Sequence, residues 1–308
     1  MHPILVVGSI AFDSIETPVG RVENELGGSA THFSCAASYF APVRLVGVVG
    51  HDFPPSFLHL FDERKVDTEG LHVADGQTFR WTGRYQGAMN HAETISVALN
   101  VFGEYEPKIP TRFRDSPFVF LANGSPTTQR AVFEQLTRPK FVVLDTMNLW
   151  IHTQRDALLE MVSKVDCLVL NEDEAKDLTE QHNLVSAGRR VQELGPSTVV
   201  LKKGQHGSLL FHHDHVYPVP ALPLSAVVDP TGAGDTFAGG FVGALARAGE
   251  ISIESMRSSM LYATVMASFN VEAFGLRRVR ELDLRAIDER HQSFVELLTP
   301  TAAVRSLA

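Results

Sequence analysis

The residues best suited to chemistry lie together late in the chain, in Val228-Asp229-Pro230-Thr231-Gly232-Ala233-Gly234-Asp235-Thr236. A turn of small residues runs there into a segment with Phe237, Phe241 and Leu245 on one helical face. Without bulk at Gly232, Ala233 and Gly234, backbone N–H groups approach a ligand closely. They do so at a helix N-terminus, where the macrodipole favours negative charge. Such a junction suits a phosphoryl group passing between two oxygens. Asp235 falls in the first helical turn, beside that anion. A carboxylate there repels phosphate unless it has another task, and the evident task is to accept or orient the proton of an attacking hydroxyl. A cap and an ordinary turn would account for a lone Gly-x-Gly, but not for so dense a run of Asp, Thr and Gly. The stretch lacks the Gly-Lys-Ser/Thr ending of a Walker A loop. Val6-Val7-Gly8-Ser9-Ile10 lacks the glycine triplet of a dinucleotide fingerprint.

Other reactive residue types are less organised. His212, His213 and His215 read as a hairpin tip, because adjacent strand residues point to opposite faces and no ligand set matches them. Cys35 and Cys167 read as buried small apolar side chains. Asp145, Asn148 and Asn123 each follow an apolar strand-like run, where the ligand loops of open α/β sheets gather. Phe79, Trp81 and Tyr85 share one face of an alternating stretch; they either stack on a ligand ring or pack on the core or a partner subunit. Arg80 and Arg84 face the other way, as solvated charge or as contacts to an anionic substrate.

The scaffold that must hold these groups is legible as short apolar runs separated by helical periods. Ile4–Val7, Arg44–Val49, Phe118–Leu121, Phe141–Leu144, Cys167–Leu170 and Thr198–Leu201 read as buried strands of a mostly parallel sheet. Thr31–Phe40, Asp235–Leu245 and the stretch from Met256 read as helices, so the class is a doubly wound α/β layer sandwich. Between Gln77 and Val101 the period drops to two, which predicts antiparallel strands with one covered face, a flap joined by residues 13–25. The chain after Leu298 is expected to be a short, loosely ordered end. The whole comprises 308 residues, 44% of them hydrophobic, with 27 Lys plus Arg against 36 Asp plus Glu and a net charge of −9. An acidic balance disfavours a nucleic-acid partner, and no apolar run approaches the ~20 residues of a membrane span. No signal peptide is read at the N-terminus, and two distant cysteines point to the reducing cytoplasm.

Asp229 to Asp235 resembles the C-terminal signature of the ribokinase/PfkB family of carbohydrate and nucleoside kinases. Gly27-Gly28-Ser29-Ala30-Thr31 resembles the family's N-terminal Gly-Gly signature. Asn171-Glu172-Asp173-Glu174 resembles its Asn-x-x-Glu motif, and Lys203-Gly204-x-x-Gly207 its turn beside the nucleotide. The motifs come in the family's order and span nearly the full length. The resemblance implies a ribokinase-like three-layer sandwich with a mostly parallel central sheet and a small β lid. The core would be residues 1–12, 26–75 and 102–308, the lid 13–25 and 76–101. It implies Mg2+ and ATP, with γ-phosphoryl transfer to a hydroxyl. Asp235 would be the base, and Gly232, Ala233 and Gly234 the anion hole. Asp13, Gly27, Gly28, His32 and Asn123 would bind substrate, and Lys203, Gly204, Gly207, Thr231 and Thr264 the nucleotide. Asn171 and Glu174 would hold Mg2+, mostly through water. Asp229, Thr231, Asn270, Ala273 and Gly275 would surround a monovalent cation such as K+. Sugar-using members often carry Asn where this chain has His32, which argues against assuming ribose itself. The expected acceptor is a small sugar or sugar derivative. The alternatives are an adenosine-like nucleoside and, in another class, a non-catalytic nucleotide- or sugar-sensing protein, against which an intact Asp235 argues. The partners expected are thus small molecules, with no nucleic acid or membrane, and the apolar flap face is compatible with a homodimer through the lid.

Overall fold

The computed structural model describes residues 2–299. The end after Leu298, but for Thr299, lies outside them. Among the described residues thirteen strands form: β1 (Ile4–Val7), β2 (Ala11–Thr17), β3 (Gly20–Gly27), β4 (Val43–Val49), β5 (Asp67–Val73), β6 (Phe79–Tyr85), β7 (Ala92–Ala98), β8 (Phe118–Leu121), β9 (Phe141–Asp145), β10 (Cys167–Asn171), β11 (Thr198–Lys202), β12 (Ser208–His212) and β13 (His215–Val219). Nine of them make one sheet in the order β13-β12-β11-β10-β9-β8-β1-β4-β5. The run from β11 to β5 is parallel throughout, and the β11-β12-β13 edge is antiparallel. All six strands expected from apolar runs are present.

The sheet divides two cores, as period-two alternation requires. Ile4, Val6, Phe118 and Phe120 point into one, while Leu5, Val7, Val119 and Leu121 point into the other. The first core is covered by helices Ser29–Ala37, Ala233–Ala248 and Ile253–Asn270. Phe33 stacks flat on Phe120 there, with centroids 4.1 Å apart. Helix Ala233–Ala248 presses close to its neighbours because it lacks side chains where they approach. A Cβ at Gly239 would stand 2.5 Å from the Phe33 carbonyl, and one at Gly240 2.9 Å from the Ala263 Cα. This packing fixes where the helix begins.

Chain progression reverses between β1 and β8: β4 and β5 extend to one side of β1, and β8 through β11 to the other. In such sheets ligands bind beyond the carboxyl ends of the strands at that switch. The remaining four strands form a small mixed sheet, β3-β2-β6-β7, covering residues 11–27 and 79–98. One expectation fails there. The outer strand β7 has no covered face; Ile95 and Val97 are 48% and 52% exposed, because nothing among the described residues stacks on that strand. Among the described residues, no helix is long and apolar enough to cross a membrane.

Removing the stacked ring tests the packing that carries the site. Phe33→Ala is expected to lower unfolding free energy by ~3–5 kcal/mol, measured by denaturant titration. A loss below ~1 kcal/mol would mean that the helix is held elsewhere.

Candidate active site

The turn at residues 228–232 is pinned from several sides. Val228 N–H donates to the Val271 carbonyl at 2.7 Å. The buried Asp229 carboxylate accepts from Thr231 N–H at 2.8 Å and Gly275 N–H at 2.9 Å, clipping two loops together. Asn270 donates to the Thr231 carbonyl at 2.8 Å and accepts from the Thr236 hydroxyl at 2.9 Å. Gly232 caps the helix with φ +71, and a Cβ there would stand 2.3 Å from the His32 ring, so only glycine serves. Thr231 through Asp235 remain partly exposed, so the junction is open rather than packed shut.

Two carboxylates flank that opening. Asp235 follows the cap by three residues, and burial and the nearby Asp145 raise its carboxyl above the usual range while Lys202 works against them. Asp13 lies on β2 and is 5% exposed. Burial pushes its carboxyl up to about 7, against the pull of the Gly28 N–H, with Asp229 and Asp235 adding repulsion. Two different close approaches require the Gly27-Gly28 pair. A Cβ at Gly27 would stand 1.9 Å from the Asp13 Oδ2, while Gly28 has φ +93 with the Ser9 carbonyl 2.5 Å from where its Cβ would be. His32 is 1% exposed and both ring nitrogens lack a hydrogen-bond partner; burial holds it down to about 4, hence neutral.

The carboxyl ends of β9, β10 and β11 supply the other wall. Asn171 caps helix Glu172–Thr179 in a reciprocal box: its Oδ1 accepts from Asp173 and Glu174 N–H at 2.9 Å, and Glu174 Oε2 accepts from Asn171 N–H at 2.7 Å. Glu174 is 6% exposed and pushed up to about 7, first by burial, though Lys202 opposes the shift and Asp145 adds to it. Its second oxygen is not used in the box, so the pair suits a hydrated magnesium rather than a fully liganded one. Among the described residues, no three His, Cys, Asp or Glu side chains gather to hold a metal directly. The turn Lys203–Gly207 is closed by Lys203 N–H to the Gly207 carbonyl at 2.7 Å, and Gly204 lies in open space. The Thr264 hydroxyl is engaged with the Met260 carbonyl inside its own helix. Ala273 is half-buried on the loop that meets Asp229.

Sequence reasoning left the lid aromatics open, and the structure separates them. Phe79 stacks on Phe102, and Trp81 lies across Gly83, but Tyr85 reaches the anion-hole turn and receives a hydrogen bond from the Thr231 hydroxyl at 3.3 Å. Arg80 pairs with Asp52 at 2.7 Å and Arg84 with Glu16 at 3.2 Å, so neither is a bare cation. Asn123 accepts from the Trp150 indole at 2.9 Å, and Asn148 donates to Asp177. His212 bonds to Thr198 in the β12–β13 hairpin, and both cysteines are buried. Lys202 was missed. It ends β11 with its side chain 18% exposed and its Nζ 3.6 Å from Asp145 Oδ1. The signal available was a lysine closing an apolar parallel strand; strand alternation turns it away from its neighbour Lys203.

Residues 114–281 match the pfkB family carbohydrate kinases. The chain is 30% identical over 255 residues to a cytidine kinase of Thermococcus kodakarensis, covering 80% of this chain and 90% of that protein. It is 27% identical over 297 residues to a ribokinase of Lactococcus lactis, covering 89% and 92%. Burkholderia thailandensis nucleoside kinase in complex with inosine superposes with a TM-score of 0.78 at 19% identity, over 95% of this chain and 99% of the other. The large sheet with its small companion sheet is the ribokinase fold, and the family match makes the chain a phosphotransferase with an alcohol acceptor. The chain belongs to the pfkB family of carbohydrate kinases, and so to the sugar and nucleoside kinases.

The raised Asp13 carboxyl has a signed consequence. The folded state holds a proton that the unfolded chain gives up between pH ~4 and ~7, so this residue makes folding less favourable as pH rises through that window. Asp13→Asn is expected to stabilise the protein at pH 8 by ~1–3 kcal/mol, with a smaller gain at pH 5.5. An equal gain at both pH values in thermal unfolding would refute the shift.

Proposed function

We propose that this protein transfers the γ-phosphoryl group of ATP to a hydroxyl of a small sugar or sugar derivative. The observation that supports it best is the open helix N-terminus at Gly232–Gly234 with Asp235 in its first turn. The acceptor lies between Asp13 and Asp235, with Gly27, Gly28, His32 and Asn123 around it. A neutral His32 donates or accepts one hydrogen bond to a hydroxyl without adding charge. Asp235 takes the hydroxyl proton as the oxygen attacks; its raised basicity favours that transfer. The N–H groups of Gly232–Gly234 hold the equatorial oxygens of the phosphoryl group in flight. Lys203, Gly204, Gly207, Thr231 and Thr264 border the nucleotide. Magnesium, when bound at Asn171 and Glu174 through water, supplies charge neutralisation at the phosphates. A monovalent cation such as K+ beside Asp229, Thr231, Asn270, Ala273 and Gly275 would add rigidity to the turn. Residues 13–25 and 76–101 act as the lid, and Tyr85 closes it over Thr231, excluding competing water.

A second reading, a nucleoside as acceptor, is favoured by the 30% identity to the cytidine kinase. We place the reaction in the cytoplasm. We also place a second copy against the exposed β7 edge with its Ile95 and Val97.

ADP release with magnesium and ATP across a panel of sugars and nucleosides separates the readings; no acceptor-dependent release on a broad panel would leave the sensing alternative. With the acceptor found, Asp235→Asn is expected to lower kcat by ~10²–10⁴-fold. Turnover within twofold of wild type would remove Asp235 from its role. Light scattering is expected to give a dimer that Ile95→Lys dissociates, and a monomeric wild type would end the pairing through β7.

A further inference from the structure

The ends of β9 and β11 and the starts of two helices converge on one side chain, Lys202. Its aliphatic stem is buried and its ammonium is surrounded by Asp145, Glu174 and Asp235, which keep it protonated well above neutral pH. A buried cation is costly unless it is paired and hydrogen-bonded. Yet the approach to Asp145 Oδ1 is 3.6 Å, too long for a hydrogen bond, and that oxygen has no other partner. Among the described residues no hydrogen bond uses the ammonium, so three N–H donors are on offer. They lie beside Gly234, where a Cβ would stand 3.0 Å from the Nζ. The ammonium thus lies against the first turn of helix Ala233–Ala248, and its donors meet the same space as the helix N–H groups. Asp145 pairs with the ammonium electrostatically at 3.6 Å without using its hydrogens, so those donors remain for an oxygen-rich anion in front of the helix.

We propose that Lys202 is a catalytic residue that grips the phosphoryl group in transit at the mouth of the anion hole, with Asp145 as the positioning residue that holds its ammonium there. This rests on the kinase reading above. In the step, the bond between the γ-phosphorus and the β–γ bridging oxygen breaks, and its electron pair leaves on ADP. The acceptor oxygen bonds to the phosphorus and its proton passes to Asp235. Lys202 stays protonated throughout and contacts the non-bridging oxygens as their charge shifts. A point charge with rotatable donors follows such movement better than a planar guanidinium.

The test uses the full chain, with its acceptor from the panel and Lys202→Met, Lys202→Arg and the double variant Lys202→Met/Asp145→Asn. Lys202→Met is expected to lower kcat by ~10²–10³-fold with little change in KM for the acceptor. By calorimetry it should keep ADP affinity within ~3-fold and lose at least ~10-fold for the β,γ-imido analogue of ATP. Lys202→Arg should restore part of the rate. The double variant removes both charges and guards against misfolding from an unbalanced acid; it should stay as slow as the single one. Overturning results are a Lys202→Met rate within threefold of wild type, equal losses of ADP and analogue affinity, or wild-type turnover in the double variant, which would make the lysine a charge balancer only. If wild type transfers to no acceptor, the kinase reading fails by itself, and the contrast between ADP and analogue still decides whether Lys202 meets the terminal phosphate.

Discussion

The site is organised around an electrostatic conflict. Four carboxyl groups, those of Asp13, Asp145, Glu174 and Asp235, are drawn out of water around the positive end of one helix, and all four are raised by their burial. A helix terminus contributes only about half a charge, and a single ammonium, Lys202, answers three of these acids. The assembly is under-neutralised, and groups so arranged are stable only because the packing around them leaves no alternative. In the reaction proposed above, magnesium and a monovalent cation would complete a charge balance that the chain leaves short.

What enforces the arrangement is apolar. Helix Ala233–Ala248 is set by near-contact with helices Ser29–Ala37 and Ile253–Asn270, where glycines remove the Cβ atoms that would keep the backbones apart. Its entering turn is set by Asp229 and Asn270, whose side chains are engaged by backbone groups and by the Thr236 hydroxyl. In the reaction proposed above, the amide donors would thus be fixed before any substrate arrives, as effective electrostatic stabilisation requires.

Much of this was legible in the residues. Parallel core strands read directly because both faces are buried and the runs are continuously apolar. The junction at Gly232–Asp235 read directly because its composition has few other uses. Strands β2, β3 and β5 did not, since polar residues such as Asp13, Glu25 and Glu69 interrupt them, and a half-covered sheet tolerates that. The reason for Gly27 depends on register: β2 and β3 pair so that Asp13 lies over it, a fact that no local pattern holds. Asn171 and Glu174, which the family resemblance assigns to magnesium, form a capping box in the fold. Lys202 was hidden beside Lys203, because only the strand's end determines which of two adjacent lysines turns inward.

Asp13 and Asp235 belong to different sheets' territories. The former rides on β2, which bonds to β3 and β6 and to no strand of the large sheet; the latter begins a helix packed on that large sheet. In the reaction proposed above, the contact to the alcohol and the apparatus for moving phosphorus would thus ride on different sheets. Mutations around β2 would then retune which molecule is accepted, so new acceptors would be reachable in evolution by small steps.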